Sequence, residues 1–206
     1  MNRALDTLSR WILAAGAALF ALSFFLPPGF DNRPFAMLRW ALETAFPSEG
    51  FGQSAAFTGV AVVIAYPYAW ALMVTAAALW SLRSGRPAPG AAAHVAVNAA
   101  GGLSLMAISV LMLLLDDPWL PARFAWVGAI LPVAMLALIG CAARFARRER
   151  RAWAVIAVAF LPHLIFQVGL TALSAGRAGE ILGFGVGGAG TVLALAGSTW
   201  LATREH

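Results

Sequence analysis

The stretch "LPHLIFQVGL", residues 161–170, sets Pro162, His163 and Gln167 into an otherwise apolar run. His163 and Gln167, four residues apart, share a helix face. Together they offer hydrogen-bond donors and acceptors, but no carboxylate and no activated nucleophile. Pro162 also leaves the carbonyl of Val158 without its helical donor. Two jobs suit such groups. They can hydrogen-bond neighbouring helices, at about 0.6–2 kcal/mol each, or line a site for a small polar solute beside a kinked helix. A comparable place is "AYPYAW", 65–70, where Tyr66, Tyr68 and Trp70 surround Pro67, and Asn98 adds an amide in "NAAGG", 98–102. The candidate polar site is therefore His163, Gln167, Tyr66, Tyr68 and Asn98.

Other chemistries lack their residues. There is no HExxH, no G-x-S-x-G and no GxxxxGK[ST] in the chain. No aspartate or glutamate falls inside an expected span, so a carboxylate proton relay has no candidate. The single cysteine, Cys141, rules out an internal disulfide and reads as a small core residue. His94 and His163 are expected at depths differing by roughly 16 Å, too far apart to share one iron. No catalytic residue, metal or cofactor is expected, and the chain does not read as an enzyme. The glycine string "GFGVGGAG", 183–190, follows no strand and so is not a phosphate loop. Gly183, Gly187, Gly190 and Ala194 instead recur every three or four residues, a small-residue face for close helix packing.

The elements that hold these residues follow from composition. Of 206 residues, 61% are hydrophobic and 11% charged, with a mean hydropathy of +0.80. Soluble domains carry about a quarter charged residues. The apolar excess falls into six runs, at about 10–27, 60–82, 95–115, 124–145, 152–174 and 181–202, each near the roughly 20 residues that cross a bilayer. The expected fold is all-α: one integral membrane domain over 1–206, a six-transmembrane-helix bundle. The first run resembles a signal peptide but continues through its "ALS" to Leu26, which reads as an uncleaved span. From Ala55 to Leu82 a single helix would be about 42 Å long, so a kink at Pro67, or an interfacial piece before a shorter span, is expected there.

Between the first two spans lies a loop, 28–54, placed outside. Its "DNRPFAMLRWALETAF" reads as an amphipathic helix on the membrane surface. Asp31 or Asn32 caps it, and Pro34 suits its first turn. Phe35, Leu38, Leu42 and Phe46 form the expected apolar face, with Arg39 and Glu43 paired on the other.

All fourteen basic residues are arginine, a habit of GC-rich bacterial genomes. Ten of them (Arg3, Arg10, Arg83, Arg86, Arg144, Arg147, Arg148, Arg150, Arg151 and Arg204) fall on one side of the six-span thread, against Arg33, Arg39, Arg123 and Arg177 on the other. The richer side is cytoplasmic, which puts both termini there, in a bacterial inner membrane. Trp11, Trp80, Trp153 and Trp200 near the inner ends, and Trp119 and Trp126 near the outer ones, read as aromatic belts. A net charge of +5 placed at helix ends is a topology signal, not a nucleic-acid footprint. Anionic lipid headgroups would attract "RFARRERRAW", 144–153. Membrane lipids and a membrane-protein partner are the expected contacts.

Two functions fit. One is a non-catalytic accessory or assembly subunit acting through helix packing and its external loop. The other is a small-solute transporter or membrane-embedded substrate-binding subunit. The second draws on a pattern in the halves on either side of "DDPWLPAR", 116–123. Each half has three spans of opposed topology, and the middle span of each contains a proline, Pro67 and Pro162. Interrupted helices at matching places in inverted repeats point to transporter sites.

Overall fold

The computed structural model describes residues 2–26, 34–45, 51–85, 91–114, 122–145, 150–173 and 181–203. These form an all-helical structure with seven α-helices: α1 (Asn2–Leu22), α2 (Pro34–Ala45), α3 (Phe51–Ser84), α4 (Ala91–Leu114), α5 (Ala122–Phe145), α6 (Arg151–Leu173) and α7 (Ile181–Thr203). A short 3-10 turn, Ser23–Phe25, extends α1. Segments of three helices are long and apolar enough to cross a membrane: Ala4–Phe25, Phe57–Ser84 and Leu182–Thr203. Asp31, Asn32, Phe46, Trp119 and Arg177 lie outside the described residues, as do most of "DDPWLPAR" and the centre of "RFARRERRAW".

Five helices close a ring. α1 packs on α3, α3 on α4, α4 on α6, α6 on α7, and α7 back on α1. α5 lies against α4 and α6, and α2 against α3. Large side chains fill the ring: Phe20 of α1, Trp70 and Val74 of α3, and Val155, Ile156 and Phe160 of α6, all essentially inaccessible. Leu72, Ile130, Ile165 and Val168 point outward instead. An apolar exterior around a packed core is what lipid as a solvent allows.

The α1–α7 seam is the tightest. A Cβ placed on Gly197 would lie 2.7 Å from the Ser9 carbonyl oxygen and 2.8 Å from the Leu13 nitrogen. Farther along the seam, Gly16 packs onto the α7 backbone at Gly190 and Ala194. The buried hydroxyls here are satisfied locally. Ser9 donates to the Leu5 carbonyl (2.9 Å), Ser23 to Phe20 (2.6 Å) and Ser198 to Ala194 (2.7 Å). In an apolar solvent this return to the helix's own backbone removes an otherwise costly unpaired group.

α3 differs from its expected bounds. It runs 34 residues without a break through Pro67, about 51 Å at about 1.5 Å per residue. Residues 55–66 thus belong to the same helix as the apolar run after Pro67, and the early part is held by α2, where Trp40 meets Phe57 edge-on at 5.4 Å. The helix ends at Gly85, whose φ of 64° is the left-handed stop that glycine provides. The Gly85 N–H donates to the Ser81 carbonyl, and so does the Arg10 guanidinium, at 3.0 Å. Arg10 thereby places positive charge at the helix terminus that favours it.

The face that α2 turns to α3 is not the apolar face expected to lie on the membrane surface. Ala41 and Ala45 are buried, whereas Leu42 and Phe35 are exposed. Small residues let the helix approach α3 closely, and the bulky ones are pushed to its flanks. Arg39 and Glu43 pair at 2.6 Å on the open side, both well exposed. The hydrogen bond to Glu43, and then its charge, raise the Arg39 pKa.

Two further expectations are corrected. Trp153 is buried in the core, because α6 carries α5 on one side and α7 on the other. Cys141 is exposed, because it lies on a side of α5 away from the ring. Trp80 and Trp200 are exposed near the ends of α3 and α7, whereas Trp11, also exposed, lies midway along α1, because that helix begins at Asn2 and not near residue 10.

Candidate functional site

Two of the three helices with internal prolines, α3 and α6, meet at those prolines, whereas Pro132 lies in α5. Tyr66, one residue before Pro67 on α3, lies 5.8 Å ring to ring from His163, one residue after Pro162 on α6. Trp70, one helical turn along α3, is also 5.8 Å from His163 and 4.6 Å from Phe160. Phe20 of α1 closes the cluster at 5.6 Å from the imidazole. His163 is therefore enclosed by aromatic rings from two other helices, and 8% of it remains accessible. Pro162 allows this placement, since the helix continues past it while one backbone bond is forgone.

Tyr66 owes its position to α4. A Cβ on Gly101 would run into the Tyr66 ring, so the absence of a side chain there makes room for the phenol. Tyr68 faces the other way. It stacks on Phe20 at 5.3 Å and tilts against Phe24 at 4.6 Å. Two residues apart on a helix, the tyrosines cannot share a face.

On α4, Asn98 and His94 are both 1% exposed. The Asn98 amide donates to the His94 carbonyl at 2.9 Å. The His94 ring stands edge-on to Trp70 at 6.4 Å. Trp70 thus touches both histidines, which the sequence puts at well-separated depths. The His94 ring meets the indole edge-on from the start of α4, and the His163 ring tilts against it from α6.

Gln167 occupies the α6–α7 seam. A Cβ on Gly187 would lie 2.9 Å from its amide oxygen and 3.0 Å from the Ser23 hydroxyl. Gly183 is buried, and Gly190 faces α1. The small-residue face of α7 is therefore divided between α6 and α1.

Four buried polar atoms in this region have no hydrogen-bond partner among the described residues: Trp70 Nε1, His163 Nε2, His94 Nδ1 and Asn98 Oδ1. Trp70 presents a donor, Asn98 an acceptor, and each imidazole either one according to its tautomer. An unmade hydrogen bond at such a site costs about 1–3 kcal/mol. Among the described residues no group of His, Cys, Asp and Glu is arranged to hold a metal.

Sequence reasoning singled out His163 and Tyr66, which the structure brings together, Asn98, which it holds on the His94 carbonyl of α4, and Tyr68 and Gln167, which it sends to flanking seams. It missed Trp70 as the centre, and with it Phe20, Phe160 and His94. A signal was present for Trp70: it lies mid-span, whereas the belt tryptophans lie near span ends. No family model matches the chain, and no curated protein or solved structure is similar to it.

Proposed function

We propose that the chain is a six-span membrane protein, both termini cytoplasmic, that binds a small uncharged solute between α3, α4 and α6, as a transporter or as the membrane-embedded binding subunit of one. One observation carries this reading. Trp70 Nε1 and His163 Nε2, beside Pro67 and Pro162, are buried with no hydrogen-bond partner among the described residues. In a bilayer core no water competes to satisfy such atoms, so a bound solute gains from pairing them. The aromatic rings supply flat apolar surfaces, and the named neighbours of His163 carry no charge, so a solute that enters by displacing part of this packing would be a neutral molecule with a donor, an acceptor and a planar face. Prolines at matching places in the two halves support alternating access by local helix adjustment. In this reading the chain catalyses no reaction.

The test is solute retention. Protein purified in native lipid is denatured, and the released small molecules are identified by mass spectrometry. The wild type is expected to release a neutral solute that Trp70→Phe and His163→Phe carry at roughly one-tenth the level, for one lost hydrogen bond each. Equal retention by both variants overturns the proposal. So does a wild type that carries nothing while both variants melt higher, because that is how an empty, sealed core responds to losing unpaired polar groups.

The accessory role is the second reading. The exposed Phe35, Met37 and Trp40 of α2 support it, as an apolar surface on which a membrane partner can rest.

A further inference from the structure

The end of α5 and the start of α6 enclose an open cavity of about 560 Å³, lined by Gly140, Ala143, Arg144 and Arg151. Arg144 is in the last turn of α5, and Arg151 is the first residue of α6. Two guanidinium groups from different helices therefore line one cleft, in a stretch, residues 144–151, that carries five arginines against one glutamate. The first amides of α6 add their partial positive charge at the same end.

The cleft continues into an apolar strip. Ile130, Val133, Ala137, Gly140 and Arg144 recur every three or four residues of α5, so they share one face, and every one is exposed. A Cβ on Gly140 would meet nothing within 4 Å, so the strip is open where it joins the cleft. From Arg144 to Ile130 the rise is roughly 21 Å, enough to pass through one leaflet of a hydrocarbon core about 30 Å thick. A soluble anion would use the arginines and leave the strip bare. A zwitterionic lipid would cover the strip and present no net charge to the arginines. An anionic amphiphile matches both parts.

We propose that the α5–α6 cleft binds the headgroup phosphate of an anionic phospholipid through Arg144 and Arg151, with an acyl chain along the Ile130–Val133–Ala137 strip. Guanidinium forks suit phosphate oxygens in geometry as well as charge, and the site faces the leaflet where anionic lipids concentrate. The proposal rests on the membrane-spanning reading.

The experiment uses the full chain, reconstituted into vesicles of equal parts phosphatidylglycerol and phosphatidylcholine. Flotation reports insertion. Native mass spectrometry after extraction into detergent then reports the lipid retained. The wild type is expected to keep phosphatidylglycerol in preference, and Arg144→Gln/Arg151→Gln to lose it roughly thirtyfold. Arg144→Lys/Arg151→Lys should recover most of the binding, which separates charge from misfolding. Arg83→Gln, at an exposed arginine on the last turn of α3, should bind as the wild type does. Undiminished retention by the double glutamine variant, equal retention of phosphatidylcholine, or an equal loss in Arg83→Gln overturns the proposal. Inorganic phosphate at millimolar concentration, without lipid, should not raise the melting midpoint. A rise that depends on both arginines would assign the cleft to a soluble anion and sink the lipid site. A chain that fails to float sinks this proposal and the six-span reading together. A chain that floats without selecting lipid sinks this one alone.

Discussion

Gly190 of α7 and Gly16 of α1 lie backbone against backbone: a Cβ on either would sit 2.7 Å from the carbonyl oxygen of the other. Neither helix can yield without moving its whole axis, because the obstacle is main chain. The seam joins the first and last helices and so closes the ring.

Gly190→Val is therefore expected to lower stability by about 1–3 kcal/mol or more, the cost of overpacking. Gly140→Ala is the matched control. Its Cβ would enter open space, and alanine favours a helix over glycine by about 1 kcal/mol, so the midpoint should hold or rise. Thermal unfolding of both variants in one detergent measures the difference. A Gly190→Val midpoint that holds or rises with that of Gly140→Ala would mean that helix propensity outweighs the contact and that the seam does not depend on it.

The small residues of α2 make a second prediction. Ala41 is fully buried against α3, and Leu42 beside it is exposed. Ala41→Leu should lift α2 from α3 and raise amide exchange in α2 roughly tenfold, for an overpacking cost near 1.4 kcal/mol. Leu42→Asp should leave exchange unchanged in detergent. If Leu42→Asp is the variant that frees the helix, then the bulky apolar face holds α2 in place and the alanine contact is incidental.

What was legible in the sequence follows from which signals survive in an apolar chain. Helix existence did, because long apolar runs bounded by Gly, Pro and Arg have few other readings. Gln167 and the glycines of α7 did too, since a polar group in such a run must be buried and glycines spaced three and four apart mark a close approach. Facing did not. α3, α6 and α7 are apolar on all sides, so no stripe tells which side meets a neighbour. That is why Trp153 was placed at the surface, Cys141 in the core, and Gly16, a single glycine in an alanine-rich run, was passed over. Pro67 does not end the helix: a proline removes one hydrogen bond, and packing by neighbouring helices carries the helix past it.

Reporter fusions test the threading. On the proposed six-span threading, fusions after residues 85 and 148 should read cytoplasmic, and after 48, 118 and 177 external, with ten arginines on the inner side against four. An external signal at 148 would reverse the orientation. Opposite signals at 85 and 148 would remove a span between them.

The last prediction concerns the α6–α7 seam, and it rests on one distance. A Cβ on Gly188 would lie 4.0 Å from the Cβ of Gln167. Disulfides form between Cβ atoms about 3.5–4.5 Å apart. Gln167→Cys/Gly188→Cys should therefore close a bond under mild oxidation, once the exposed native thiol is removed by Cys141→Ser. Mass spectrometry after alkylation counts the free thiols. The bond needs little backbone motion, so it should form in the membrane before purification. A contrasting pair, Gln167→Cys/Gly190→Cys, should stay reduced, because Gly190 turns its Cβ position toward Phe20 and Gly16 of α1. Reduction of both pairs would place Gln167 away from α7. Oxidation of the 190 pair in preference would mean that α7 is rotated about its axis, and the glycine faces assigned to α1 and α6 would have to be exchanged.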